Sequence, residues 1–257
     1  MIVASDLIGL PASASYETGI ATHVGLVRNH NEDNCIADPD SGLWAVADGM
    51  GGHEAGDVAS ETVIEALRSI GSPASAPDLL ARFEDRILRA NKRLREIARE
   101  RGSAIVGSTV AALLVFEQHY ACVWSGDSRI YLIRAAAISQ LSRDHTEAQE
   151  LVDRGLLSAK EAKQWPRRNV LVRALGVQDD PEFDLNQGML ESGDVFVICS
   201  DGLTAHVEDQ EIRDHVEHAP AQAACDALVA LALKRGGTDN VTVIVMRYQS
   251  SRAEIRA

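Results

Sequence analysis

Hydrophobic residues fall along this chain in short, nearly unbroken runs separated by polar turns. LWAVA at 43–47, STVAALLVF at 108–116, HYACVWS at 119–125, SRIYLIR at 128–134, DVFVIC at 194–199 and VTVIVMRY at 241–248 each have the length and content of a buried strand. Residues 107–134 read as an antiparallel meander, to which 138–141 adds a strand. Upstream, GIATHVGLV from Gly19 is strand-like, and NCIAD at 34–38 meets the 43–47 run across the turn DPDSG, as paired antiparallel strands do. A further strand is expected at 169–176, NVLVRALG.

Three stretches carry helical spacing instead. Asp57 to Ile70 repeats Val58, Val63, Ile64, Leu67 and Ile70. Asp78 is positioned to cap a helix reaching Arg101, with Leu79, Phe83, Ile87, Leu94 and Ile97 on one side, and Ala221 to Arg235 is amphipathic. The second of these helices holds eight Arg or Lys residues from Arg82 onward. Acidic partners such as Asp85 beside Arg89 make it read as a solvated face more readily than as a basic docking surface. Residues 146–168 are polar and weakly helical, contain Pro166, and read as a helical insertion or flap over the meander. Strands come in two groups with helices after each. That order predicts an α+β fold of two antiparallel sheets packed face to face with helices outside, in preference to a parallel βαβ sheet. One domain is expected over 19–248, after a loosely attached lead-in at 1–18 and before a tail at 249–257.

Composition narrows the partners. With 46% apolar and 25% charged residues the 257-residue chain is ordinary for a globular protein, and 4% aromatics means an aliphatic core. A formal charge of −13 argues against a nucleic-acid surface. Cys35, Cys122, Cys199 and Cys225 are far apart and form no CxxC pair, so neither structural zinc nor a disulfide framework is expected. The start of the chain has no basic segment before its apolar stretch, and no run reaches the ~18 apolar residues of a membrane span. No membrane association is expected, and a reducing cytoplasm is the default.

Where the apolar runs end, the chemistry begins. Asp48 closes the 43–47 run and is followed by three glycines within four residues; Asp127 follows YACVW, Asp201 follows VFVICS, and Asp239 precedes VTVIVM. One Asp-Gly is an ordinary turn. Four recurrences are a constellation, joined by the neighbouring Glu32 and Asp33. Other chemistries lack their residues: GMGGHE misses the third glycine of a dinucleotide fingerprint, no GxxxxGK[ST] is present, His53-Glu54 lacks the second histidine of HExxH, and no GxSxG provides a nucleophile elbow. Converging carboxylates repel by roughly 4 kcal/mol per pair at 4 Å and an effective dielectric of 20, so they need protons or a cation. Oxygen-only ligands select Mg²⁺ or Mn²⁺. Two such ions can lower the pKa of a shared water and hold it in line with phosphorus, and Arg28 could fork the phosphate.

These residues occur in a recognisable order. R28-x-x-N-E-D33, V46-A-D-G-M-G-G-H53, G107-S-T109, S125-G-D-S-R129, D144-H-T146, R173-A-L-G176, S200-D-G-L203 and G237-T-D-N-V-T242 span most of residues 17–248. The chain resembles the metal-dependent serine/threonine protein phosphatases of the PPM, or type-2C, family, in particular the compact bacterial members. The resemblance implies a four-layer α-β-β-α sandwich with a dinuclear metal centre at one end. It also implies hydrolysis of phosphoserine and phosphothreonine in proteins, opposing a serine/threonine kinase in signalling.

Residue by residue, the resemblance implies that Asp48 bridges two Mg²⁺ or Mn²⁺ ions and that the Gly49 carbonyl binds the first. Asp201 and Asp239 would bind the second, Glu32 and Asp33 would act through metal-bound waters, and Arg28 would grip the phosphate. Asp127 with Asp201 would hold a third, weaker ion. One position departs from the animal-type members, which carry a histidine directly after the Asp-Gly pair as proposed general acid; here it is Met50. His53 nearby has a structural and a functional reading, and a metal-bound water is the other candidate acid. His145 and Thr146 are expected to pack at the base of the flap, Asn240 to orient Asp239 and its turn, and Gly107-Ser108-Thr109 to pack the sheet closely. Trp165, Arg167 and Arg168 either select among phosphopeptides or pin the flap to the core. Two rival functions share the same residues: a hydrolase of small phosphorylated metabolites, and a non-catalytic phosphoprotein-binding regulator.

Overall fold

The apolar runs are unbroken because the strands that carry them are buried on both faces. The computed structural model describes residues 14–51, 55–102 and 105–250. In chain order these form β1 (Ala14–His23), β2 (Asp33–Asp38), β3 (Leu43–Gly51), α1 (Gly56–Arg68), α2 (Ala76–Glu100), β4 (Val106–Ser108), β5 (Val110–Phe116), β6 (His119–Ser125) and β7 (Arg129–Arg134). There follow β8 (Ala137–Gln140), α3 (Glu147–Asp153), α4 (Ala159–Ala162), β9 (Asp184–Met189), β10 (Val195–Cys199), α5 (Asp201–Thr204), α6 (Asp209–Val216), α7 (Ala221–Lys234) and β11 (Val241–Ser250).

Two antiparallel sheets result, one ordered β1-β11-β10-β7-β8 and the other β2-β3-β5-β6-β9, with β4 paired to β3. Side chains alternate between layers with the period of two that a strand imposes. In β3, Leu43, Ala45 and Ala47 pack under α1 and α2, while Trp44 and Val46 enter the layer between the sheets. In β10, Val195, Val197 and Cys199 pack under α6 and α7, while Phe196 and Ile198 meet the same central layer. Three apolar layers therefore hold four layers of structure, α-β-β-α, as expected from the sequence.

Several local expectations shift. The 107–134 meander divides: β5 and β6 pair in one sheet, whereas β7 pairs with β10 in the other. The 125–128 turn thus crosses between sheets, and Gly126 takes a positive φ of 114° there. Strand β1 starts at Ala14, ahead of the boundary at 19, because Tyr16 packs edge-on against Trp44 and the Trp44 indole N–H donates to Thr18 Oγ1 at 3.0 Å. At the other end β11 runs to Ser250, beyond 248. Ser75, not Asp78, caps α2: its hydroxyl accepts from the Asp78 N–H at 3.2 Å, while the Asp78 carboxylate accepts from Ala74 N–H and Arg82. Residues 169–176 make only isolated bridges, Thr146 to Leu171 and Ser108 to Leu175, and run along the rim instead of joining a sheet. The edge strand β9 escaped notice because its sequence, DLNQGM, alternates weakly and is half exposed.

The basic residues of α2 are largely neutralised, with Arg82 on Asp78, Arg86 and Arg89 on Asp85, and Arg93 on Glu96 and Glu100. The solvated-face reading holds.

Candidate active site

Strand register creates the central problem of the site. Asp33 opens β2 directly opposite Asp48 near the end of β3, so two carboxylates share one face of an antiparallel pair. The Asp48 backbone is locked: its N–H donates to Thr109 Oγ1 at 3.0 Å and its C=O accepts from the Thr109 N–H at 2.8 Å. The Thr109 hydroxyl shares a further 2.8 Å hydrogen bond with Ser128. Gly49 must be glycine, since a Cβ there would lie 1.8 Å from the Gly56 carbonyl oxygen. That contact lets the Gly49 N–H reach the Glu32 carbonyl at 3.0 Å and brings the Glu32 carboxylate over the start of α1.

The other sheet delivers the remaining carboxylates to the same end. Cys199 of β10 is paired with Arg129 of β7, and that register, continued past the strand ends, sets Asp201 against Asp127. Asp239 precedes β11 and meets Asp201 because Gly202 approaches so closely that a Cβ on it would stand 1.8 Å from the Asn240 carbonyl oxygen. The buried Asn240 side chain makes three hydrogen bonds to the Arg28 loop: Oδ1 accepts from the Glu32 N–H at 2.8 Å, and Nδ2 donates to the carbonyls of Val24 and His30 at 2.8 and 2.9 Å. Its expected role beside Asp239 is also present, as its backbone N–H donates to Asp239 Oδ1 at 2.9 Å.

Electrostatics record the crowding. Burial, then Asp33, Asp201, Asp127 and Asp239, push Asp48 well above the usual carboxylate range. Asp127 is raised by burial, then by Asp201 and Asp144. Burial pushes Asp33 to about 7 against the pull of Ser200 and Thr242, and burial with Asp239 pushes Asp201 to about 6. Glu32 is raised chiefly by burial. Ser200 donates to Asp33 Oδ2 at 2.7 Å, but Asp33 Oδ1 is buried with no hydrogen-bond partner. Arg28, half exposed, donates to Asp239 Oδ2 at 2.8 Å, and that bond is the main cause raising its already high pKa.

Among the described residues no three carboxylate, His or Cys side chains close around one point tightly enough to hold an ion unaided. Arg28 draws Asp239 one way and Ser200 draws Asp33 another. The donor set still fits a hard divalent cation: all oxygen, short of positive charge, and with an orphaned carboxylate oxygen facing no donor.

A cleft of about 480 Å³ unites these groups; Arg28, Glu32, Asp48, Asp127, Asp201 and Asp239 all line it. Asp33 lies behind, at 8% exposure. Met50 lines the cleft, and His53 lies outside the described residues. A second cleft of about 560 Å³ opens between the flap and α5, sharing Asp127, Asn169 and Asp201 with the first.

Thr109, expected only to pack the sheet closely, also holds the Asp48 backbone. Supporting residues that sequence reasoning left unassigned include Ser200 and Thr242; a hydroxyl within three residues of an aspartate at a strand end is the signal that could have found them. Arg129 grips Asp144 with two donors, at 2.9 and 2.7 Å, and so holds the Asp127 turn. His145 clasps the same turn: its Nδ1 accepts from Gly126 N–H at 3.2 Å and its own N–H donates to the Gly126 carbonyl at 2.9 Å. Burial lowers its pKa, leaving a neutral ring whose Nε2 lies 3.3 Å from Asp184 but out of line for a hydrogen bond. Thr146 caps α3. Both residues behave as expected at the flap base. Trp165 donates to Glu147 at 3.1 Å and Arg167 pairs with Glu147 at 2.8 Å, so these two contacts staple the flap internally and are not ties to the core.

Asn240→Ala strips three hydrogen bonds from a buried clasp, and each orphaned buried group costs about 1–3 kcal/mol. The variant should therefore show a lower melting temperature and faster amide exchange at 28–32 than elsewhere. Exchange that rises evenly over the whole chain would remove the clasp role.

Comparison with known proteins follows the same lines. The family model described as protein phosphatase 2C matches residues 9–151. The serine/threonine protein phosphatase PstP of Mycobacterium tuberculosis is 37% identical over 223 residues, covering 86% of this chain, which spans 43% of that protein's length. Protein phosphatase PhpP of Streptococcus pneumoniae is 31% identical over 248 residues, covering 93% of this chain and 100% of its own. Among solved structures, a PstP catalytic domain in complex with two manganese ions superposes with a TM-score of 0.84 at 34% identity, over 93% of this chain and 100% of that one. With a matching family model, a relative aligned end to end and the same two-sheet sandwich, the chain belongs to the protein phosphatase 2C family.

Proposed function

We propose that this chain is a Mg²⁺- or Mn²⁺-dependent phosphoprotein phosphatase acting on phosphoserine and phosphothreonine. The observation that carries the reading is a rim of five carboxylates, Glu32, Asp48, Asp127, Asp201 and Asp239, whose proton affinities are raised by burial and then by one another, with the Arg28 guanidinium among them in one cleft. Asp48, the Gly49 carbonyl, Asp201 and Asp239 would hold two ions, Glu32 and Asp33 would act through bound waters, and Asp127 with Asp201 would hold a third. Such ions supply the Lewis acidity that makes a water nucleophilic near neutral pH.

Among the described residues of the cleft no free hydroxyl or reactive thiol is offered as a nucleophile, which supports direct attack by water. Thr109 carries the one hydroxyl side chain among the described residues of the active cleft, and it is occupied by Asp48 N–H and Ser128. Burial pushes the thiol of Cys35 to about 11 and those of Cys199 and Cys225 to about 12. Water oxygen then bonds to phosphorus while the bond to the seryl or threonyl oxygen breaks. The alcohol leaves with a proton and inorganic phosphate remains. Arg28 orients the phosphate and balances its charge.

A phosphorylated protein is the proposed substrate, and an opposing serine/threonine kinase would supply it. Four free thiols, three of them buried, fit a reducing cytoplasm. Among the described residues no helix is long and apolar enough to cross a membrane.

Three outcomes are expected. Asp48→Asn or Asp201→Asn should abolish hydrolysis of a phosphothreonine peptide while circular dichroism stays native, and chelation of the wild type should do the same until Mn²⁺ is restored. Full activity in excess chelator would sink the metal reading. Arg28→Ala should lower kcat/KM about ten- to hundredfold, as expected for a charge-assisted bond of about 1.5–3 kcal/mol. Wild-type kcat/KM in that variant would take Arg28 out of the site.

The third outcome concerns pH. Asp33 and Asp201 are raised from 3.8 to about 7 and about 6, so between those limits the folded chain binds more protons than the unfolded one. Metal-free stability therefore falls as pH rises through that window. A bound cation relieves the repulsion, so the Mn²⁺-induced rise in Tm should be larger at about pH 7.5 than at about pH 5. A smaller rise at the higher pH would contradict carboxylate ligation.

A further inference from the structure

One wall of the active cleft takes no part in phosphate chemistry. Met50, Ile105 and Val177 line it from three separate segments, and Ile105 and Val177 are 48% and 43% exposed. Single exposed aliphatics need no explanation, but two of them sharing one wall with Met50 beside a carboxylate rim do. Met50 and Val177 meet over Gly107. Met50 is its register partner in the β3–β4 pair, and a Cβ on Gly107 would lie 2.8 Å from Met50 Cε and 3.6 Å from Val177 Cγ2. Gly51 pairs with Val106, the residue after Ile105, so the wall continues to the edge of β4.

The wall is also held rigid at internal cost. Buried Asn91 of α2 accepts from the Gly176 N–H at 2.6 Å and donates to the carbonyls of Gln178 and Asp179 at 3.0 and 3.1 Å, fixing the peptides on both sides of Val177. Gly176 adopts a positive φ of 87° to approach the Val106 carbonyl. A preformed apolar surface, kept wet in the free protein, gains free energy when a ligand covers it.

We infer that this wall seats an apolar side chain of the substrate polypeptide, one or two residues from the phosphorylated position, and so determines sequence selectivity. The inference rests on the phosphoprotein reading above. Strand geometry sets the reach: Met50 lies two residues from Asp48 on the same face of β3, about 6.6 Å along the strand, which is also the span of two residues in an extended peptide. Desolvation sets the sign. An acidic neighbour would lose hydration against this wall without gaining a partner on it, whereas an aliphatic one removes Ile105 and Val177 from water.

The test is a set of phosphothreonine peptides differing at single positions within two residues of the phosphate, each carrying Leu, Ser or Asp. The wild type should prefer Leu over Asp at one of these positions by about tenfold in kcat/KM, the discrimination a modest apolar contact provides. Ile105→Thr and Val177→Thr, near-isosteric changes at exposed positions, should each reduce the Leu-to-Ser ratio, and together bring it close to one. Absence of a Leu preference at every position, or a ratio that survives both changes, overturns the inference. Hydrolysis of an aryl phosphate with no cleavage of any peptide would instead overturn the phosphoprotein reading itself, and the inference with it.

Discussion

The structure depends on holding like charges together. Asp33 and Asp48 face one another across a strand pair, and three more aspartates reach the same end from the second sheet. Charges directly opposite on neighbouring strands are normally avoided. Their persistence here requires that the surrounding fold gain more elsewhere than the site costs. Three apolar layers, with Trp44, Phe83, Tyr131 and Phe196 almost completely buried, supply that stability away from the charged end.

Backbone precision at the site comes from two devices. Glycines remove side chains where strands, turns and α1 touch, as Gly49 does against Gly56 and Gly202 against Asn240. Buried hydroxyls and one amide then fix the rest: Thr109 the Asp48 peptide, Ser200 the Asp33 carboxylate, Asn240 the peptides of the Arg28 loop. Neither device carries charge, so the carboxylates are positioned without being neutralised. Their raised proton affinities follow from burial first and from this unrelieved repulsion second.

Much of this was legible in the sequence because it is periodic or punctual. Runs such as VFVIC and VTVIVM gave strands, and an aspartate at the end of each gave the rim. What escaped has a physical reason in each case. The change of sheet at 125–128 leaves no mark on hydrophobicity, since β6 and β7 are equally apolar whichever neighbour they pair with. NVLVRALG looks like a strand, yet its N–H groups find only single partners, such as Ser108 and His145, because no sheet edge passes alongside it. Tyr16 was assigned to a lead-in because an isolated aromatic in a polar stretch gives no period, although tertiary packing on Trp44 and Tyr248 extends β1 back to Ala14. Asn240 could be placed beside Asp239, but its grip on Val24, His30 and Glu32 joins residues more than 200 positions apart, which no local pattern reports.

The flap illustrates how rigid and adjustable parts are kept apart. Its own staples are internal, with Glu147 binding both Trp165 and Arg167, and its tie to the opposite bank is the exposed Lys163–Glu208 pair at 3.1 Å. An exposed pair of that kind contributes little and is screened by salt. The base is different: His145 and Arg129 clasp the Asp127 turn through partners that are buried or nearly so. The second cleft is thus bridged by a weak surface contact, while Asp127 and Asp201 are held by the strands and by the buried clasp at the flap base. The flap's tie across the cleft and the geometry of the carboxylate rim rest on separate interactions.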